Sequence, residues 1–355
     1  MKHNVNNEVI SFDDVILQPQ YSDITSRKEI KTNVYVPKLN VNFDIPIISS
    51  PMSTVTEAYM CNAMSNLGGL GIIHRYNTIE FQKKLVSYIS DTKTKAAAIG
   101  VSGDHKERLS ALVEAGLNIV CIDIAHGDHI LMEKAIEYVK STYPSLFVIA
   151  GNIATGSAYH RLAEAGADAV RASVGSGSIC TTRIQTGHGI PTLQAVIDID
   201  ATKKEMIKNN SGWDENNLPY LIADGGIKNS GDIVKSLASG ADFVMLGSML
   251  SGTKETPGRI TTNESGNKVK RYNGMASKTA QKNWKGSYSS IEGVASYVPY
   301  KGTISKVVNE IMSNVRSGMS YTGARNLKEL QKKAIMVKQT SASNVEGNPH
   351  IFKRK

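Results

Sequence analysis

Cysteine is scarce in this chain. The 355 residues contain three, Cys61, Cys121 and Cys180, an odd count with no pair at a disulfide-framework or zinc-ligand spacing. That excludes a cystine-stapled secreted scaffold and fits a reducing compartment. Long apolar runs are missing as well: none approaches the ~18 residues that would span a bilayer. The opening segment, Met1-Lys-His-Asn-Val-Asn-Asn-Glu8, is polar and holds no apolar leader core. Basic residues exceed acidic ones, 41 against 32, with Lys332, Lys333, Lys338, Lys353, Arg354 and Lys355 in the last third. No basic stripe is interleaved with aromatics, so the excess does not indicate a nucleic-acid partner. The expectation is a cytoplasmic protein with neither a membrane nor a nucleic-acid partner. The dinucleotide fingerprint is also absent. Gly175-Ser-Gly-Ser-Ile-Cys180 lacks the third glycine, and no acidic residue closes a following strand at the right distance.

What the chain does have is a repeat of short apolar runs. They are Ile45–Ser49, Leu70–His74, Ala96–Val101, Ile119–Ile124, Leu146–Ala150, Ala169–Ala172, Tyr220–Ala223 and Phe243–Leu246. Runs of this length without polar alternation suit parallel strands buried on both faces. Segments with helical periodicity separate them, several closing on glycine at Gly116, Gly166 and Gly240. Glu-Ala-Gly-Leu-Asn-Ile-Val, Glu-Ala-Gly-Ala-Asp-Ala-Val and Ala-Ser-Gly-Ala-Asp-Phe-Val are versions of one helix–loop–strand unit. The prediction is an α/β fold, a closed (β/α)8 TIM barrel forming a single domain over residues 1–355.

Polar or glycine residues follow the strands: Ser50, His74, Asp123, Asn152, Gly175, Asp224 and Gly247. Any one of them suits a helix cap. Seven together point to the barrel face where the strands end, which is where such folds carry their sites. Cys180 belongs to that face. It sits in Gly175-Ser-Gly-Ser-Ile-Cys-Thr-Thr182-Arg-Ile-Gln-Thr-Gly-His-Gly189. Glycines there let amides face an anion or carbonyls face a cation. Taken alone, Cys180 is either a small buried hydrophobe or a thiolate nucleophile.

Several motifs in order decide between these. Ser11-Phe-Asp-Asp-Val-Ile-Leu17, Ser50-Pro-Met-Ser-Thr-Val-Thr-Glu57, Gly68-Gly-Leu-Gly-Ile-Ile-His74 and Ile122-Asp-Ile-Ala-His-Gly127 come first. Ala150-Gly-Asn-Ile-Ala-Thr155, the Cys180 loop, Ala223-Asp-Gly-Gly-Ile-Lys-Asn-Ser-Gly-Asp232, Met245-Leu-Gly-Ser-Met-Leu250 and Tyr272-Asn-Gly-Met-Ala276 follow. With them the chain resembles the IMP dehydrogenase/GMP reductase family over nearly its whole length. The resemblance implies a homotetrameric barrel binding a purine nucleotide beside a nicotinamide cofactor. It implies that Cys180 bonds to purine C2 while hydride moves between that carbon and the cofactor. Carried over by position, Asp224 binds the ribose, and Ser178, Gly225, Gly226, Gly247, Ser248 and Tyr272 serve the phosphate. Gly274, Met275, Ala276 and Gly293 line the base, with Ser50 and Met52 beneath it. Gly175, Gly177 and Cys180 resemble the carbonyl ligands of a monovalent cation, K+. Asp123, Ala125, His126, Asn152 and Arg171 fall where the family holds the nicotinamide end of the cofactor; for His126 a tethered loop histidine is an equal alternative.

The family runs two opposite reactions. Dehydrogenases usually carry a pair of regulatory repeats after the second strand; here Arg75 to Lys95 leaves room for one helix and no inserted domain. Dehydrogenases also use a flap bearing an Arg-Tyr pair to activate water. The segment Ala276 to Ile291, spanning the expected flap at about 277–291, holds no arginine, although Lys282, Lys285 and Tyr288 are present. Lysine is a poor replacement for an arginine base. Against this, the Ser50–Glu57 and Thr182–Gly187 segments look as much like dehydrogenases as reductases, and Ser53 stands where dehydrogenases commonly have aspartate, so no role is copied to it; the tail at about 338–355 looks closer to one reductase branch. The expectation is a GMP reductase that converts GMP and NADPH to IMP and ammonia, with Thr182 and Glu292 protonating the departing amine. Glu292 suits that work if a closed site raises its pKa; otherwise it is a surface glutamate at a helix start. The alternative is an IMP dehydrogenase lacking regulatory repeats. A flavin-dependent barrel enzyme or a silent nucleotide-binding protein would share the architecture, but the former does not account for the Cys180 loop.

Overall fold

A computed structural model describes residues 8–209, 212–285 and 291–349. All eight apolar runs form strands: β1 (Ile47–Ser49), β2 (Leu70–Gly71), β3 (Ala96–Ile99), β4 (Ile119–Asp123), β5 (Phe147–Ile153), β6 (Ala169–Ala172), β7 (Tyr220–Asp224) and β8 (Phe243–Leu246). They make one eight-stranded parallel sheet in the order β2-β1-β8-β7-β6-β5-β4-β3. The two outer strands meet through Ile73. Its N–H donates to the Ala96 carbonyl at 3.0 Å and its carbonyl accepts from the Ala98 N–H at 2.8 Å. The sheet is thereby a closed cylinder.

Each strand is followed by a helix that covers its outer face: α1 (Ala58–Asn66), α2 (Ile79–Ser87), α3 (His105–Glu114), α4 (Ile130–Thr142), α5 (Gly156–Glu164), α6 (Thr192–Lys208), α7 (Ser230–Ala238) and α8 (Ile304–Tyr321). Only α2 stands between β2 and β3. Gly116, Gly166 and Gly240 have φ of +85°, +99° and +108°, the left-handed geometry expected of residues that stop a helix.

Both faces of the strands are buried, which is why their sequences are apolar without alternation. The lumen is packed with Ile48, Ile72, Ala98, Ile119, Cys121, Ile149, Ile222 and Met245. Its floor is a hairpin pairing Val34–Val36 with Val41–Phe43, and the Phe43 ring meets Phe243 edge-on at 5.7 Å. Outside, Leu112, Ile136, Leu162, Ile199, Leu237 and Val308 join the helices to the sheet. Two residues beyond Cys121, Ala169 and Ile222, the same inward pleat carries Asp123, Arg171 and Asp224. The lumen thus changes from apolar to ionic at the end where the strands finish.

After β8 the chain forms an antiparallel pair, β9 (Lys268–Asn273) and β10 (Ala295–Pro299), with a helix at Lys278–Lys285 between them. Near the chain ends, Val15–Gln18 pairs antiparallel with Ile335–Lys338.

Candidate active site

The Cys180 loop is held by a distant segment. The Thr181 N–H donates to the Glu292 carbonyl at 2.9 Å, and the Val294 N–H donates to the Ile179 carbonyl at 3.0 Å. Gly293 lies between these rungs opposite Cys180. A Cβ on Gly293 would come within 3.3 Å of the Ile179 carbonyl and the Ser277 nitrogen, so glycine permits the close approach. The side chains then form a chain of donors: the Cys180 thiol donates to Thr182 Oγ1 at 3.1 Å, and the Thr182 hydroxyl donates to Glu292 Oε2 at 2.7 Å. A proton can pass along this line between the carboxyl group and the space above the sulfur. The other cysteines are unsuited to such work. Both are buried, and burial pushes the Cys121 thiol up to about 12 and the Cys61 thiol higher still. Cys180 alone of the three is half-exposed.

Beneath the cavity lies the ionic layer. Arg171, 5% exposed, donates to Asp123 Oδ1 at 2.6 Å and to Asp224 Oδ2 from Nη2 at 2.8 Å and Nε at 3.2 Å. Asn152 donates to the same Asp224 oxygen at 2.8 Å. Burial pushes the Asp123 carboxyl up, but the Arg171 and Arg75 guanidiniums outweigh it and hold the group below its ordinary value. The layer holds Asp224 by one oxygen, Oδ2, and the residue lines the cavity above.

One cavity of about 290 Å³ gathers most of the predicted residues. Cys180, Thr182 and Glu292 line it, as do Ser50, Met52, Ser178, Asp224, Gly225, Gly226, Gly247, Ser248, Tyr272, Gly274, Met275 and Ala276. Asp123, Ala125, Asn152, Arg171, Gly175 and Gly177 complete the set. Two fall outside: Gly293 acts from behind Cys180, and His126 is exposed and not among the lining residues. At Gly247 a Cβ would sit 3.0 Å from Met52 Sδ and 3.1 Å from the Tyr272 hydroxyl, so glycine keeps this turn open. Lys301 braces the turn from below, donating to the Ser248 carbonyl at 2.8 Å and the Met249 carbonyl at 3.1 Å.

Sequence reasoning missed several lining residues, Arg75, Tyr76 and Ser173 among them. Arg75 and Tyr76 directly follow the His74 that marked a strand end, and they line this cavity and a second one bounded by Gly100–Asp104. The Tyr76 ring stacks on Trp284 of the 278–285 helix, with centroids 4.2 Å apart, and the Arg75 guanidinium lies 5.4 Å from the Trp284 ring. The Arg75 Nε is buried without a hydrogen-bond partner and stands 3.6 Å from Asp123. Of the flap residues named from sequence, Lys282 is exposed on that helix, while the Lys285 side chain and Tyr288 lie outside the described residues. Ser173, between Arg171 and Gly175, also lines the cavity. Among the described residues no helix is long and apolar enough to cross a membrane.

Comparison with known proteins agrees with this geometry. The family model of the IMP dehydrogenase / GMP reductase domain matches residues 9–350. The inosine-5'-monophosphate dehydrogenase of Nitrosopumilus maritimus is 32% identical over 97% of this chain and 98% of its own length. That of Bacillus subtilis is 30% identical over 97% and 96%. The first match runs over 480 aligned positions against the 355 residues here, so that relative carries internal sequence with no counterpart in this chain. A solved GMP reductase from Trypanosoma brucei, in complex with guanosine 5'-monophosphate, has a TM-score of 0.89 at 28% identity. The match covers 99% of this chain and 100% of that one.

Proposed function

Because the chain belongs to the IMP dehydrogenase/GMP reductase family, an oxidoreductase family of purine metabolism, we propose that it is a GMP reductase. The observation that carries this reading is the Cys180–Thr182–Glu292 chain, at 3.1 and 2.7 Å. A departing amine needs a proton at that point, and no water has to be activated. In this reading Asp224 accepts the ribose hydroxyls. The turns at Gly225–Gly226 and Gly247–Ser248, with Ser178 and Tyr272, hold the phosphate, and Met52 and Met275 flank the purine. The Cys180 thiol passes its proton through Thr182 to Glu292, and the thiolate adds to C2. As the exocyclic C–N bond breaks, Thr182 hands its proton to the leaving ammonia and regains one from Glu292. When C2 has been reduced, the carbon–sulfur bond breaks and the thiolate returns to Cys180.

The residues fit a nicotinamide cofactor. The nucleotide contacts come from the ends of β1, β7 and β8, from the Cys180 loop after β6 and from β9 and the turn after it, and the rest of the lining, Asp123, Ala125, Asn152 and Arg171, is left for a second reactant; Arg75, 3.6 Å from Asp123, borders the same side. Bound there, NADPH supplies the two electrons and the hydrogen that end on C2. The carbonyls of Gly175 and Cys180 accept no hydrogen bond among the described residues, which suits a monovalent cation such as K+, with Gly177 as the third ligand. A homotetramer would cover apolar surface such as Val294 and Tyr297, which is 63% exposed.

The second reading is an IMP dehydrogenase, favoured by the names of the sequence relatives above. The two are separated by following reduced nicotinamide with GMP plus NADPH, and with IMP plus NAD. Repeated turnover is expected in the first mixture. In the second, oxidation needs only Cys180 and the cofactor, so about one reduced cofactor per site should form before the covalent intermediate stalls. Sustained XMP production faster than GMP consumption would overturn the reductase reading.

A further inference from the structure

Lys301 is a half-buried ammonium group without an acid to balance it. Its Nζ donates only to carbonyls, those of Ser248 and Met249, and no carboxylate pairs with it among the described residues. Burial pushes its pKa down, and no neighbouring charge draws it back. Elsewhere withdrawn lysines have acids: Lys95 pairs with Asp91, Lys140 with Asp168 and Lys203 with Asp242. Even Lys270, 1% exposed and donating to the Thr253 carbonyl at 3.1 Å, has the Glu255 charge near enough to oppose its burial in part. Carbonyl dipoles solvate an ammonium but leave its full charge uncompensated. Nor can Lys301 readily move away, because its backbone is fastened on both sides. Its N–H donates to the Gly252 carbonyl at 2.9 Å, and the Gly302 carbonyl accepts from the Lys254 N–H at 2.8 Å.

The cavity has the opposite imbalance. Its lining carries two cations, Arg75 and Arg171, against three carboxylates, Asp123, Asp224 and Glu292. Both cations are already engaged, Arg75 with Asp123 and Arg171 with Asp123 and Asp224. Such a lining repels an anion, yet a phosphate monoester brings a charge of about −1.5 to −2 at pH 7. Gly247 and Ser248 belong to the lining, and the Ser248 carbonyl is the one that Lys301 holds. The uncompensated ammonium therefore stands one peptide unit behind the wall of a cavity that lacks free positive charge.

We propose that Lys301 is a positioning residue that makes the site select a phosphorylated nucleotide over its nucleoside, its charge acting through the turn after β8 on the phosphate. The proposal rests on the phosphate site assigned to Gly247–Ser248. Its test titrates GMP, and separately guanosine, calorimetrically into wild type, Lys301→Gln and Lys301→Met. Glutamine keeps an amide donor for the carbonyls and removes the charge; methionine removes both. In each variant the preference for GMP over guanosine should fall by about tenfold. Guanosine affinity should stay within about twofold of wild type, because the nucleoside carries no charge for Lys301 to offset. Equal losses for GMP and guanosine would make Lys301 a structural brace and overturn the proposal. Lys301→Gln binding GMP as wild type does would overturn it too, since the donor alone would then suffice. Thermal unfolding without ligand shows whether each variant is native, and if Lys301→Met does not fold, Lys301→Gln decides by itself. If wild type binds guanosine as tightly as GMP, the phosphate reading falls and takes this one with it. If wild type prefers GMP and the variants keep that preference, this proposal fails alone.

Discussion

Replacing Arg171 by methionine tests whether the ionic layer is a support for the site. The substitution preserves much of the side chain's length and apolar stem while deleting three charge-assisted hydrogen bonds. Two carboxylates then remain near the end of the lumen without their cation. Breaking a buried pair from one side costs about 3–5 kcal/mol. Asn152 still donates to Asp224 and Arg75 still stands 3.6 Å from Asp123, so the lower end applies, about 3 kcal/mol. At roughly 1–2 °C per kcal/mol for a chain of this length, Tm should fall by about 3–6 °C. The pH dependence is more diagnostic. In the wild type the Asp123 carboxyl is held below its ordinary value. It therefore contributes stability above the unfolded pKa, near 3.9, and loses it as pH falls through the lower folded value. Without Arg171, burial pushes the same carboxyl above the unfolded value. The variant's stability is then retained below about pH 4 and lost as pH rises through the raised folded pKa. The gap between the two proteins must widen from pH 5 to pH 7.5. Urea unfolding at those two pH values measures it. A gap under about 1 kcal/mol, or one that narrows toward neutral pH, would refute the reasoning.

Two further outcomes follow from the donor chain. Cys180→Ala should lose at least ~10³ in turnover while GMP still raises its Tm as in wild type; activity within about tenfold would rule out a covalent role. Glu292→Gln should lower kcat by about 10²–10⁴ with little change in the GMP KM, since the acid acts only as the amine departs. An unchanged kcat would reduce Glu292 to its backbone role of anchoring Thr181.

The barrel was legible because burial on both faces leaves strands such as Ile119–Asp123 and Phe243–Leu246 apolar without alternation, and because glycine marks the helix ends. Boundaries were less so. Of Leu70 to His74 only Leu70–Gly71 lies in the ladder, with Ile73 closing the cylinder by itself, and β5 runs on through Asn152 to Ile153 past a bulge. Most site residues were named because residue type at a strand end, joined to a family resemblance, is local information. Partnership is not. That Arg171 and Asn152 both converge on one Asp224 oxygen depends on three strands meeting in the lumen. Trp284 against Tyr76 depends on a helix that arrives from beyond β9. Ser173 lies just past the apolar run Ala169–Ala172, and its positive φ is set by where β6 ends, which no sequence period records. His126 shows the converse, a residue whose type fits the chemistry and whose side chain stands outside the cavity.

Thr182 and Glu292 are 110 positions apart, and the ladder that joins β8 to β1 pairs Val244 with Ile47. Chain order sets a timetable. On the proposed reading, the nucleophile emerges during synthesis well before its acid exists, and closing a loop of that span costs entropy before any contact offsets it. A nascent or truncated chain can carry Cys180 in a nearly complete cylinder and still have nothing to protonate a leaving group. On the same reading, chemical competence therefore arrives only with the segment that pins Cys180 from behind.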